Sequence, residues 1–267
     1  MSNSTSVPPA WTPPHYNAQL DRRLLGAAVS PSSLTRRERD EMYGLLEAYF
    51  EGTQRGRFEA DLAEKDSVLL LRESQSGRVR GFSTSMRLAT RVEGQDVVAF
   101  FSGDTIVARE HWGENLLSRL WAQTIFGQAD RVLAADPQAR VYWFLICSGF
   151  RTWRFLPVFF REFYPNPDTP TPVHVQRTLQ VLGKMKFGDE YLQDLGVVRF
   201  RAAAPLRDGV GEVTERRLRD PYIAFFSRMN PGHAAGDELA CLTEVSRNNL
   251  TRAGQRMVAA DVEGVEL

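Results

Sequence analysis

Asp104 stands in Ser102-Gly103-Asp104-Thr105, which interrupts an otherwise apolar stretch over 97–107. A Gly-Asp pair inside a buried strand is costly unless the backbone approaches something closely and the carboxylate has partners. Asp104 therefore reads either as a general base or amine-binding anion, or as the mark of a β-bulge bonded to nearby backbone. Glu110 and His111 follow within seven residues. An imidazole there can carry a proton near neutral pH, or simply cap the chain and pack on Trp112. Cys147 ends the apolar run 141–147. A nucleophilic thiol would need a base and an electropositive setting, for which Arg151 is near; otherwise a buried cysteine is a small apolar side chain. His233, Asp237 and Glu238 with Cys241 could be grouped as metal ligands. Their spacing fits no common zinc pattern, and a turn with an acid near a helix start is the simpler reading.

The elements that would position these groups follow from periodicity. Residues 1–34, rich in Ser, Pro and Thr, read as an arm with little structure of its own, pinned at most by Trp11 and Tyr16. Thr35 with Glu38 makes a capping box, and Met42, Leu45, Leu46, Tyr49 and Phe50 follow at helical spacing. Strands are predicted over 67–72, 78–90 and 97–107, separated by the turns SQSG and EGQD, as an antiparallel meander. A helix is predicted over 114–128, from Leu116, Leu117, Leu120, Trp121 and Ile125. The run VYWFLIC reads as a strand buried on both faces, and 150–163 as an aromatic helix. Another helix over 173–186, a strand over 197–203 and a mostly helical stretch from 220 onward complete the pattern. The expected organisation is an arm (1–34), a core (35–204) and a helical C-terminal extension (205–267).

The chain has 267 residues, with 33 Lys plus Arg against 33 Asp plus Glu. That balance speaks against a nucleic-acid partner, which calls for a basic excess. No apolar run reaches the roughly 18 residues of a membrane span. The first residues lack the cationic and apolar pattern of a secretory signal. Two cysteines are too few for a disulfide framework, so a reducing, cytoplasmic setting is expected.

The order of a helix, a three-strand meander, a loop and helix, a buried strand and a further helix resembles the GNAT superfamily of acyltransferases. It is similar also to the acyl-homoserine-lactone synthases and N-acyl amino acid synthases. The resemblance covers about residues 35–164 and implies an α/β fold with a mixed central sheet flanked by helices. It is carried at one place by Val107-Ala108-Arg109-Glu110-His111-Trp112-Gly113-Glu114-Asn115-Leu116-Leu117. Gly113 and the Leu pair fit the family's phosphate-binding turn, Arg109 lies one residue from the basic position, and His111 replaces the first glycine. The resemblance implies that Val107, Arg109, Trp112, Gly113, Glu114 and Asn115 hold a pantetheine phosphate or pyrophosphate at a helix N-terminus, where unpaired N–H groups suit an anion. Arg151 and Arg154, with Arg161, would face a phosphate or an acidic carrier protein.

The implied activity is transfer of an acyl group from acyl-CoA or an acyl-carrier-protein thioester to an amine of a small molecule or peptide, with no metal. Asp104, His111 and Glu110 are the expected catalytic groups, with Tyr142 or Tyr164 as possible proton donors to the leaving thiolate. The aromatics Tyr142, Trp143, Phe144, Phe150, Trp153, Phe155, Phe159 and Phe160 suggest a channel for a medium or long acyl chain, or else ordinary core. The usual closing hairpin of two strands is not visible after 173. Two other readings stay open: a non-catalytic binding protein on the same fold, and a metal-dependent enzyme using His111, His233 and nearby carboxylates.

Overall fold

A computed structural model describes residues 24–259 and 265–266. Trp11 and Tyr16 lie outside the described residues. The described residues form a mixed α/β structure built on one nine-stranded sheet. Strand β1 (Leu24–Val29) leads to α1 (Arg36–Tyr49) and α2 (Arg55–Ala63). The meander β2 (Ser67–Glu73), β3 (Val79–Val92) and β4 (Gln95–Val107) follows, then α3 (Leu116–Ala135) and β5 (Arg140–Cys147). Short helices α4 (Phe150–Trp153) and α5 (Phe155–Phe159) precede α6 (Val173–Phe187). Then come β6 (Tyr191–Leu192), β7 (Val197–Val198), α7 (Pro221–Met229), β8 (Glu238–Glu244), α8 (Arg252–Ala259) and β9 (Val265–Glu266). The strand order is β6-β7-β8-β5-β4-β3-β2-β1-β9.

The helix and meander expectations hold. Thr35 and Glu38 form the capping box at the start of α1, each side chain bonding the other's backbone N–H. Three expectations change. Residues 24–34 belong to the body, because β1 pairs along its whole length with β2, from Leu24↔Glu73 to Val29↔Val68. The aromatic stretch after β5 is two short helices with a turn at Arg154, since Pro157 has no N–H and its ring crowds the carbonyl of Trp153 four residues back. The strand expected over 197–203 is two residues long.

The C-terminal part is also not an added helical layer. Its strand β8 pairs antiparallel with β5, Tyr142↔Glu244 through Cys147↔Leu239, and with β7 on its other side. ELACLTE is short and apolar, the kind of run that periodicity cannot tell from a buried helix segment. It is the strand that closes the sheet.

Helices α3, α5, α7 and α8 cover one face, over a core that includes Phe100, Trp121, Trp143, Leu145, Trp153 and Phe226. Helices α1, α2 and α6 cover the other, over Met42, Phe58, Phe82 and Ile106 at one end and Phe101, Phe144 and Leu182 at the other. Two irregularities in β4 make the site. Against β3 the register runs Ser83↔Thr105 and then Ser85↔Ser102, so Gly103 and Asp104 together oppose Thr84. This bulge reverses the side-chain alternation: Phe100 faces α3, whereas Ile106 faces α1 and α2. Against β5 the parallel pairing ends at Ser102↔Leu145. Beyond that point β4 continues with β3 and β5 with β8, and the two strands part.

Candidate active site

A cavity of about 700 Å³ occupies the parting of β4 and β5 and reaches both faces of the sheet. On the α3 face it is lined by Trp121, Trp143, Phe159, Phe160 and Met257. The indoles of Trp121 and Trp143 lie 4.2 Å apart and both donate to the Ser102 hydroxyl, at 3.3 and 2.9 Å. One buried serine thus satisfies two buried indoles and fixes an apolar floor. Of the eight aromatics expected to form a channel, Trp143, Phe155, Phe159 and Phe160 line this cavity. Phe150 and Trp153 are core, Trp153 packing on Phe225 and Phe226, while Tyr142 and Phe144 belong to the opposite face of the sheet.

On the other face the lining is charged: Arg57, Asp61 and Glu64 from α2, Asp104 from the bulge, Lys186 from α6, Glu190, and Glu238 from the start of β8. Most of these have partners. Lys186 holds Glu64 at 2.6 Å, Lys65 holds Asp61 at 2.5 Å, and Arg57 donates to the Ala202 carbonyl. Asp104 and Glu238 have no ion pair among the described residues. Burial first, and then the charge of Asp61, push the Asp104 carboxyl up to about 6, against Lys65 and Arg57. Burial raises Glu238 further, to about 8, helped by Asp104 and opposed by a hydrogen bond from Ser148. Two carboxyls of different proton affinity therefore face one cleft, an arrangement suited to taking a proton from an amine.

Gly103 is required by the close approach within the bulge. A Cβ there would lie 2.6 Å from the Thr84 hydroxyl and 3.1 Å from the Lys65 side chain. Asp104 thus sits on a bulge and also faces the cavity, so the two readings of its sequence context are not alternatives. Glu238 reads from sequence as an acid at a turn that, with His233, would line the acceptor side if the segment folds back over the sheet; in the structure Glu238 lines the cavity and His233 does not. The signal for Glu238 was its position at the head of ELACLTE, once that run is a strand.

The turn between β4 and α3 places the other expected residues. His111 is 3% exposed. Its Nδ1 lies 2.7 Å from the Glu114 carboxylate, and its Nε2 is buried without a hydrogen-bond partner among the described residues. Val107, His111, Trp112, Gly113 and Glu114 all line the cavity. The Trp112 indole donates to the Val107 carbonyl at 2.8 Å, and Gly113 takes φ +100°, a conformation that suits glycine. Asn115 caps α3 without a side-chain hydrogen bond. Arg109 and Arg151 stack on the Trp112 ring at 5.2 and 4.7 Å.

Several expected residues are placed elsewhere. Glu110 pairs with Arg80 at 3.3 Å, and Arg154 with Asp220 at 3.2 Å; neither lines the cavity. The Cys147 thiol is pushed well up by burial and by Cys241 beside it, the reverse of what a nucleophile needs. Asp237 is held by Arg199 at 2.6 Å. Among the described residues no three His, Cys, Asp or Glu side chains converge to hold a metal. Tyr142 and Tyr164 pack in the cluster beneath α6, away from the cavity. Among the described residues no helix is long and apolar enough to cross a membrane.

No family model matches the chain, and no curated protein does. Solved structures that are similar include a probable N-acyltransferase of Enterococcus faecalis V583, with TM-score 0.39 and 14% identity over 53% of this chain. The overlap spans 33% of that protein's own length. A GNAT-family N-acetyltransferase of Escherichia coli in complex with CoA gives 0.33 and 16% over 51% of this chain and 70% of that one. The glucosamine-6-phosphate N-acetyltransferase of Arabidopsis thaliana gives 0.34 and 12% over 50% and 88%. The likeness covers about half of this chain, at identities of 12–16%.

Proposed function

We propose that the protein is an N-acyltransferase that moves an acyl group, of medium or long chain, from a phosphopantetheine thioester to an amine. The observation that carries this reading is the parting of β4 and β5 at Ser102↔Leu145, which opens a cavity with an apolar floor on one face and two unpaired carboxyls on the other. The thioester lies in the parting, its phosphate end toward Trp112, Gly113 and the start of α3, and its acyl chain on Trp121, Trp143, Phe159 and Phe160. The amine, on a small molecule or peptide, comes from the charged face. Asp104 accepts its proton, directly or through Glu238, and the freed lone pair attacks the thioester carbon. Beyond Ser102 the β4 edge that faced β5 has no ladder partner among the described residues, and its N–H groups are the donors for the oxyanion. Collapse of the tetrahedral intermediate breaks the C–S bond. The departing thiolate takes a proton, for which His111, oriented by Glu114, is the available carrier. A cytoplasmic setting belongs to this reading.

The test is thiol release from acyl-CoA and from an acyl carrier protein against a panel of amines, with mass analysis of the purified protein for bound thioester. Amine-dependent thiol release and formation of the amide are expected. Thioester binding without turnover for any amine would make the chain a binding protein, an outcome that its single glycine in the phosphate turn also suits. No thioester binding at all would overturn the proposal.

A further inference from the structure

One serine of the cleft meets a carboxylate. Four serines line the cavity, and three of them are engaged otherwise. Ser102 takes the two indoles at 3.3 and 2.9 Å, Ser83 and Thr105 bond each other at 2.8 Å, and Ser118 donates to the Asn115 carbonyl at 2.9 Å. The fourth, Ser148, follows directly on β5. Gly149, not Ser148, is the N-cap of α4, and the Ser148 hydroxyl donates to the Glu238 carboxylate instead. The pairing of β5 with β8 makes that meeting. Its last pair is Cys147↔Leu239, both in the core on the α3 face. Side chains alternate along a strand, so the next pair outward, Ser148 and Glu238, turns to the charged face together. The bulge turns Asp104 to the same face from the other lip of the parting. The end of β5 is also held from outside: the bridge Phe50↔Leu206 ties Leu206 to the end of α1, and a Cβ on Gly149 would lie 3.0 Å from the Leu206 side chain. A hydroxyl bonded to a carboxylate, fixed at the rim of a cleft that takes a thioester, has the parts of an activated nucleophile. With its proton affinity raised to about 8, Glu238 is a stronger base than an ordinary carboxylate.

We propose that Ser148 is a second acyl acceptor in this cleft, with Glu238 as its base, so that in the absence of an amine the protein takes the acyl group onto Ser148 as an ester and releases it to water. This proposal rests on the thioester reading above and adds an activity to it, hydrolysis of the thioester through a covalent intermediate. In the first step the Ser148 Oγ bonds to the thioester carbon and the C–S bond breaks. The serine proton passes to Glu238 and from it to the departing sulfur, which leaves as a thiol. In the second step water gives a proton to Glu238 and its oxygen bonds to the ester carbon. The bond to Oγ breaks, and Glu238 returns the proton to Ser148. The products are a thiol and a carboxylic acid, and both side chains end as they began.

The test mixes the full chain with decanoyl-CoA and no amine, quenches in acid, and reads the protein by mass spectrometry while thiol release is followed in parallel. A decanoyl group is expected on the peptide that holds Ser148. It should resist neutral hydroxylamine, which removes thioesters and so separates an ester on Ser148 from an acyl group on Cys147. Ser148→Ala should abolish the adduct, and both Ser148→Ala and Glu238→Gln should slow amine-independent thiol release by about 10²-fold or more. Ser148→Cys should carry a decanoyl group that neutral hydroxylamine removes, which keeps the test open where Ser148→Ala does not fold. A decanoyl group on Cys147 or Lys186 alone, or an adduct that survives Ser148→Ala, would overturn the proposal. Amine-dependent thiol release by the wild type, with neither adduct nor hydrolysis, would overturn it and leave the thioester reading standing. Absence of thiol release with and without amines would overturn both.

Discussion

The two halves of the cavity are built on opposite principles. On the α3 face the polar atoms are consumed locally: the Ser102 hydroxyl takes both indole donors, and what remains is flat and apolar. On the α2 and α6 face the charges are only partly consumed: among the described residues Asp104 and Glu238 form no ion pair, and they feel Lys65 and Arg57 only at longer range. The first half is stable as it stands. The second raises the proton affinity of both carboxyls above its value in water, a cost that burial imposes and nearby cations only partly offset. The one-residue bulge in β4 separates the two, because it turns Asp104 and Ile106 to the face opposite the one that a regular strand would give them.

This contrast can be broken from either side. The largest effect is expected from Asp104→Asn, which should lower kcat by about 10²–10⁴-fold and move the melting temperature little. The acidic limb of the wild-type pH–rate profile, near pH 6, should disappear with it. Retained activity, or a variant that does not fold, would return Asp104 to a structural role. On the apolar side, dissociation constants for acetyl, hexanoyl, decanoyl and palmitoyl thioesters should fall by up to about 0.8 kcal/mol per methylene until the floor is covered. Phe159→Ala should flatten that series without changing the acceptor KM. A flat wild-type series would mean that the aromatics are only core.

Gly103→Ala tests the divider itself. Its methyl would meet the Thr84 hydroxyl at 2.6 Å and Lys65 at 3.1 Å, so strain of about 1–3 kcal/mol and a lower melting temperature are expected. An unchanged melting temperature would show that the bulge is not tightly packed. The smallest effect concerns pH. Both raised carboxyls bind protons more tightly folded than unfolded, so stability is fully present below about pH 4 and is lost as pH rises through about 6 for Asp104 and about 8 for Glu238. Glu238→Gln should remove the upper part of that loss and raise the melting temperature by a few degrees at pH 8–9, with no gain at pH 4. A variant no more stable than wild type at pH 9 would rule out a buried Glu238.

The sequence carried the local parts of this arrangement and missed the long-range ones. The capping box of Thr35, the meander and the awkward Gly103-Asp104 pair depend on neighbours within a few residues, and periodicity reaches that far. Gly113 was legible as a turn glycine; its φ of +100° also means that a valine there would strain the backbone, so Gly113→Val is not a clean test of phosphate binding. The pairing of β5 with β8 and the place of Glu238 across from Asp104 depend on chain crossings that no local spacing records. Arg151 and Arg154 stand three apart, a spacing that puts both on one side of a continuous helix, but the helix turns at Arg154 and gives them different partners: Asp220 for Arg154, Trp112 for Arg151.

The late position of β8 has a consequence for synthesis. Strands β2 to β5 assemble from contacts close in the chain, whereas the other edge of β5 waits for Glu238–Glu244, about ninety residues downstream of Cys147. A nascent chain that has completed β5 exposes an apolar strand edge at Val141–Cys147 and has a cleft with only one of its two raised carboxyls. At that stage it is a sticky folding intermediate with half of the cleft's charged face missing. The second carboxyl and protection of the edge therefore arrive in one step, when β8 docks.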